Sequence, residues 1–222
     1  MVSIPDEQTH QPLLKELLEQ HATRQSFQRR SLIYTPEQAA NTLYWLEEGQ
    51  ISLQLLSSTG RVLTLQIIEA GALFGHSALT LDETYDTFAE VTRPAKVLAL
   101  SRDVIEAVLH EQPALGVALL HEMAQYRLSV SRRLEEVAFK SVPARLASLL
   151  LEMAGAVAEV VDEQQLRVPR HTHQQLAEMI NAYRETVTKV MNQFRAEKLL
   201  TIDRSFITVL NPSGLMAVAQ GC

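Results

Sequence analysis

Residues 172–200 read THQQLAEMINAYRETVTKVMNQFRAEKLL, and the fold turns on whether this stretch is one helix or two. Leu176, Met179 and Ile180 fall on one helical face, and Val187, Val190, Met191 and Phe194 fall on another at i, i+3, i+4 and i+7. Thr172 with Gln175 three residues later has the S/T-x-x-Q form of a capping box, which starts a helix there. Asn181-Ala182-Tyr183 breaks the pattern, and asparagine tolerates the left-handed backbone of a tight turn better than any residue except glycine. The reading is two helices, the second from Arg184 to about Lys198. LLTIDRSFITVLNP, residues 199–212, then reads as two short strands around a turn at Asp203-Arg204-Ser205. Helix, three-residue turn, helix and β-hairpin make a winged helix-turn-helix.

Such a unit sets its second helix in the DNA major groove, N-terminal residues foremost. The outer face of that helix carries Arg184, Glu185, Thr188 and Lys189. An arginine fork or a lysine reaches guanine O6 and N7, a glutamate accepts from a cytosine amine, and a threonine methyl meets a thymine methyl. Thr172 and Gln174 suit a phosphate at the first helix's N-terminus, and Tyr183 and Arg204 are further backbone candidates. The plain alternative is a solvated helix face, which the surrounding helix–turn–helix–hairpin pattern disfavours.

The chain's net charge of −6 argues against nucleic acid only until the chain is divided. Residues 1–139 hold 11 Lys+Arg against 18 Asp+Glu, while residues 140–222 hold 9 against 8. DNA binding needs a basic face, not a basic total. The single cysteine, Cys222, excludes an internal disulfide and any Cys-rich metal or iron–sulfur site. No apolar run approaches a membrane span and the N-terminus has no signal-peptide core, so a cytoplasmic protein without a membrane partner is expected.

Working back along the chain, Leu13, Leu14, Leu17 and Leu18 suggest a short amphipathic helix within an N-terminal arm, residues 1–22. Residues 23–112 read mainly as short strands: TLYWLEEGQISLQLLSSTGRVLTLQII alternates apolar and polar residues, with Gly49 and Ser57-Ser58-Thr59-Gly60 placed as hairpin turns. Gly71, Gly75 and Pro94 supply further breaks, and a small sandwich or barrel is expected. From Ser101, an N-cap followed by acids starts a short helix. Pro113 opens a long one to Phe139. Leu119, Met123, Tyr126, Val130, Arg133 and Val137 are spaced 4, 3, 4, 3, 4 along it, the seam of a helix paired with another helix, which predicts a homodimer. The same stripe would also serve to rest the helix on its own strand domain. Pro143 restarts a helix at its first turn, a polar loop (DEQQLR) follows, and residues 140–222 form the DNA-binding domain.

With these pieces in order, the chain resembles the cyclic AMP receptor protein (CRP/FNR) family of bacterial transcription regulators over nearly its whole length. RETVTK at 184–189 is close to the family's R-E-T-V-x-R, and VAFKSVPARLASLLLEM at 137–153 looks like its hinge and following helix. The resemblance implies an α+β chain: a cyclic-nucleotide-binding-like β-roll (a jelly roll), a dimerisation helix at 113–139 and the winged helix. It implies a homodimer on double-stranded DNA, with Arg184, Glu185 and Lys189 reading a palindromic TGTGA-like site, and RNA polymerase as a further partner. Lys189 stands where the family has Arg, and Tyr183 where it has a small hydroxyl cap.

The effector cassette departs further. The matching stretch is GALFGHSALTLDETYDTFAEV, residues 71–91, in which Gly71 and Gly75 fit the turns. His76 takes the place of the ribose-binding Glu, and Asp86-Thr87 that of the phosphate-binding Arg-Ser. An aspartate repels a phosphodiester that an arginine would clamp, so no cyclic AMP binding is expected. No cofactor is predicted. His76 with Tyr85 leaves haem open, and Arg127 or Arg132 leaves a 2-oxoglutarate-type acid open, as does control by abundance alone. No Walker loop, H-E-x-x-H or G-x-S-x-G motif supports an enzyme. His171 and His173 suit a metal pair only weakly and lack an evident third ligand. The remaining rival is an effector-sensing dimer whose winged helix serves protein contacts.

Overall fold

The computed structural model describes residues 18–80, 84–157, 159–162 and 165–221. The expected helix positions Leu13, Leu14 and Leu17 lie outside the described residues; Leu18 is buried in a helical turn at 18–21. The chain divides into two compact units, one of residues 1–55 and 65–131, the other of residues 56–64 and 132–222.

The N-terminal unit is built on a six-stranded sheet in the order β1-β6-β3-β4, with β2 on β6 and β5 on β3. Its strands are β1 (Thr23–Phe27), β2 (Leu32–Tyr34), β3 (Thr42–Leu56), β4 (Val62–Glu69), β5 (Leu73–Phe74) and β6 (Phe88–Ser101). Two of the expected breakers do not break it. Gly49 lies within the 15-residue β3 and Pro94 within the 14-residue β6, where the β3–β6 register shifts around residues 46–51. The two meet: a Cβ on Gly49 (φ +96°) would stand 2.2 Å from the Pro94 carbonyl oxygen. A β-bulge absorbs both residues in one place, which is where proline and glycine are tolerated inside a sheet. The true hairpin turn is at 57–60, closed by the Ser57 amide on the Arg61 carbonyl at 2.8 Å.

One core of this unit holds Leu46, Ile51, Phe74, Val91 and Val97 with an aromatic group of Tyr34, Tyr44 and Tyr85. Tyr34 and Tyr85 stack with centroids 3.8 Å apart. A second core gathers Trp45, Leu98 and Leu100 with Ile105 and Val108 of α1 (Arg102–Glu111) and Leu115 and Ala118 of α2 (Ala114–Phe139). Ser101 is the N-cap residue of α1, but its side chain makes no capping hydrogen bond.

The expected seam on α2 is half-buried rather than bare. Leu119 packs against the second core and Tyr126 against the first. The large apolar side chains that α2 leaves exposed lie beside that stripe: Val117, Leu120, Leu128, Leu134 and Phe139.

In the C-terminal unit, α3 (Val142–Val157), α4 (His173–Ile180), α5 (Arg184–Ala196) and α6 (Pro212–Gln220) enclose one core with a four-stranded sheet of order β7-β8-β10-β9. The polar loop expected after α3 is instead a hairpin, β7 (Glu159–Asp162) and β8 (Gln165–Pro169), whose second strand pairs with β10 (Phe206–Val209). Strand β9 (Leu200–Ile202) completes the wing. Helix α6 is not apparent in the sequence; Asn211 caps it by accepting from the Gly214 amide at 2.8 Å, with Pro212 in its first turn.

Candidate nucleic-acid interface

Each local signal in residues 172–200 has a structural counterpart. Thr172 Oγ1 accepts from the Gln175 amide at 3.1 Å, and Gln175 Oε1 accepts from the Thr172 amide at 2.9 Å, a complete capping box. Asn181 takes the left-handed conformation (φ 52°, ψ 54°), turning the chain between α4 and α5. Helix α5 ends in the same way, with Lys198 at φ 55°.

Val187, Val190, Met191 and Phe194 are all buried in the core with Leu176 and Ile180. At about 1.5–3 kcal/mol for each large apolar side chain, this contact fixes the rotation of α5 about its axis. The consequence is functional: Arg184, Glu185 and Lys189 are turned to solvent. Thr188 differs. Its hydroxyl donates to the Arg184 carbonyl at 2.9 Å and meets His173 Nδ1 at 2.8 Å, so the hydroxyl is committed and only the methyl remains for a base.

Tyr183 occupies the N-cap position of α5 without a side-chain capping bond. Its exposed ring lies under the Arg61 guanidinium, 4.6 Å from the centroid, and Arg61 also donates to Asn181 Oδ1 at 3.0 Å. Arg61 belongs to the 56–64 segment, which groups with this unit.

Between the start of α4, the start of α5 and the β9–β10 turn lies an open cleft. Arg170, His171, Thr172, His173, Gln174, Arg184, Arg204 and Ser205 line it. The wing turn is closed by its own hydrogen bonds: Asp203 Oδ1 accepts from the amides of Ser205 and Phe206, both at 2.7 Å, which holds its carboxyl below the usual range. Arg170 donates to the Asp203 carbonyl at 3.0 Å. The cleft therefore presents three arginines and a helix N-terminus with no carboxylate in its lining, an arrangement suited to an anion. Arg170 escapes a sequence reading because it stands outside the helical pattern.

The second expected site lies in the N-terminal unit. Gly71 and Gly75 have φ of 92° and 80°, and Gly75 caps a single 3₁₀ turn, His76–Leu79. The His76 ring is buried and stacked on Tyr126, with neither nitrogen hydrogen-bonded. Burial lowers its pKa to about 4, with Asp86 opposing. The Asp86 carboxylate accepts from Ser77 Oγ at 3.0 Å and Thr87 Oγ1 at 3.3 Å. Tyr85 does not join His76 as a ligand pair; its hydroxyl donates to the Thr42 carbonyl at 2.8 Å within the aromatic stack. Among the described residues no group of three or more His, Cys, Asp and Glu is placed to hold a metal ion, and no helix is long and apolar enough to cross a membrane.

Fold and interface together define a β-rich domain joined to a DNA-binding winged helix, a transcription regulator rather than an enzyme. A cyclic nucleotide-binding domain model matches residues 24–112 and a Crp-like helix-turn-helix domain model matches residues 144–218. The transcriptional regulator LdrP of Thermus thermophilus is 30% identical over 178 residues, covering 78% of this chain and 85% of its own. The global nitrogen regulator of Synechocystis is 27% identical over 194 residues, 86% of each chain. Among solved structures, a CRP-family transcriptional regulator from Thermus thermophilus superimposes with a TM-score of 0.74 at 28% identity, over 88% of this chain and 96% of that one. The chain belongs to the CRP/FNR family of DNA-binding transcription regulators.

Proposed function

We propose that this regulator works as a homodimer that reads a palindromic TGTGA-like site and does so without cyclic AMP. The observation that carries the reading is the rotation of α5. Its buried face commits Arg184, Glu185 and Lys189 to the opposite side, at the N-terminal end that enters a groove. Thr172, Gln174, Tyr183 and Arg204 act on the backbone. Dimerisation through α2 would cover the bare Val117, Leu120, Leu128 and Leu134 together with parts of the half-buried stripe at Leu119, Met123, Tyr126, Val130 and Val137. RNA polymerase is the further partner of the promoter-bound dimer.

Independence from cyclic AMP rests on chemistry at the cassette. His76 is neutral by burial and brings no carboxylate for a ribose. Asp86, already an acceptor for two hydroxyls, would meet a phosphodiester with like charge.

The test is a binding titration with a TGTGA-N6-TCACA duplex and a scrambled duplex of equal length, each with and without cyclic AMP. Tight binding of the palindrome alone, unchanged by the nucleotide, is expected. Arg184→Ala and Glu185→Ala should each weaken it by about 1–3 kcal/mol and relax selectivity at one base pair. Equal affinity for both duplexes would sink the palindromic reading, and a nucleotide requirement would sink the other.

A further inference from the structure

The cleft between α4, α5 and the wing contains two histidines whose hydrogen bonds fix their tautomers. The Pro169 carbonyl can only accept, so His171 Nδ1, 2.9 Å away, carries the proton. Thr188 spends its hydroxyl proton on the Arg184 carbonyl, so its oxygen accepts and His173 Nδ1 donates to it at 2.8 Å. In both neutral rings Nε2 is then a bare lone pair, and it has no partner among the described residues. A lone pair in an anion-binding cleft is a mismatch. An arginine or lysine in either place would present a donor to a phosphate oxygen; a neutral imidazole with Nδ1 already committed presents none.

We propose that His171 and His173 are proton-linked DNA-backbone contacts: each takes up a proton at Nε2 as a phosphate enters the cleft, so that DNA affinity rises as pH falls. The inference rests on the reading that this cleft receives the DNA backbone, but not on any base sequence.

The electrostatics around the rings favour this coupling. The charged groups near His173 are Arg170 on the preceding segment, Arg184 on α5 and Arg204 in the wing turn. The carboxylates on these elements are Glu178, bonded to Gln174 Nε2 at 2.7 Å, Asp203, bonded to two backbone amides, and Glu185 in the first turn of α5. Free of DNA, His173 is held below its ordinary pKa by burial and by Arg170 and Arg184, and His171 by burial. An arriving phosphate neutralises those arginines and supplies an acceptor for Nε2–H, both of which raise the pKa. A group whose pKa is higher in the complex binds its proton on association. Affinity therefore climbs as pH falls through the complex's value and levels off below the free protein's value.

Anisotropy titrations of the full chain at constant salt, from pH 8 to 5.5, on the palindromic and the scrambled duplex test this. Both affinities should rise with acidification, by up to roughly tenfold per pH unit for each linked proton. Calorimetry in two buffers of different ionisation enthalpy should register net proton uptake. His173→Gln keeps a donor toward Thr188 yet cannot titrate, and with His171→Gln it should flatten the profile. His173→Arg should bind with less dependence on pH than the wild type. A flat wild-type profile without proton uptake overturns the proposal, as does a double variant that keeps the slope. Equal affinity for the two duplexes with proton uptake intact would overturn only the palindromic reading, and the wild-type calorimetry stands whether or not a variant folds.

Discussion

His76 and Tyr126 lie ring against ring, centroids 4.6 Å apart and planes 22° from parallel, where the expected effector cassette meets the long helix α2. The stack puts an imidazole in an apolar contact and leaves both its nitrogens unsatisfied. It also explains why Tyr126, spaced as a dimer-seam residue, is half-buried within its own unit.

That contact predicts an acid-labile N-terminal unit. The His76 pKa is about 4 in the folded protein against an ordinary 6.5, because burial penalises the imidazolium. The unfolded chain thus binds the extra proton first. Stability is intact above pH 6.5 and falls as pH drops from 6.5 toward 4, by about 3 kcal/mol in all. Trp45, the sole tryptophan and buried in this unit, reports its urea unfolding. His76→Phe should remove most of the loss between those pH values. An unchanged acid profile in the variant would refute the assignment.

The bulge that joins Gly49 to Pro94 gives a sharper contrast between two glycines of similar backbone. Gly49→Ala places a methyl 2.2 Å from the Pro94 carbonyl oxygen and 2.7 Å from Ala95 Cα, at φ +96°. Backbone on both sides must move, and a cost of several kcal/mol, about 3 or more, is expected. Gly60→Ala sits at φ +79° in open space and should cost only about 1 kcal/mol. Trp45 fluorescence reports the Gly49 variant, and far-UV dichroism, which also follows the unit that holds residues 56–64, reports the Gly60 variant; similar losses would mean that the bulge can relax.

These two units are legible to different degrees, for a physical reason. The winged helix announces itself because its signals are local: a cap and its partner three residues apart, and an apolar stripe of period 3.6. The Gly49–Pro94 bulge pairs residues 45 positions apart in the chain, and each alone reads as a break. The β7–β8 hairpin reads as a loop because Asp, Glu and Gln are poor strand formers, and what orders β8 is its pairing to the distant β10. On α2, period alone cannot tell a face resting on its own domain from one awaiting a partner. In the interface, the outer face of α5 is readable, but Arg170 and the tautomers of His171 and His173 depend on contacts that only the folded chain makes.

The capping box makes a prediction about α4. Thr172→Ala removes the hydroxyl that accepts from the Gln175 amide, while the residue-172 backbone amide can still donate to Gln175 Oε1, and it should cost the C-terminal unit about 1 kcal/mol, within a roughly 0.5–2 range. Thr172→Ser should restore it. DNA affinity should fall with the cap, because the same residue starts the helix that lines the cleft. A variant that melts unchanged yet binds less tightly would show instead that the hydroxyl serves only the phosphate.

Arg145 on α3 makes the last and most mechanical prediction. Its buried guanidinium donates to the Val137 carbonyl, near the end of α2, at 3.1 Å and approaches the Asn181 carbonyl, in the turn before α5, at 3.5 Å. Burial and the neighbouring Arg133 hold its pKa below the ordinary range, so the charge is tolerated at a cost rather than paired directly with a carboxylate. Arg145→Met fills the volume but strands the two carbonyls, at about 1–3 kcal/mol. For a unit of this size that is a fall of roughly 5–15 °C in its transition. Far-UV dichroism, dominated by helices, should register the shift while Trp45 fluorescence keeps its wild-type midpoint. Arg145→Lys, with one ammonium in place of a fork, should recover only part of the loss. Because Asn181 sets the angle at which α5 leaves the turn, DNA affinity should fall in the same order, wild type above Lys above Met. Full affinity in the Met variant would show that the turn holds its shape from the left-handed Asn181 alone.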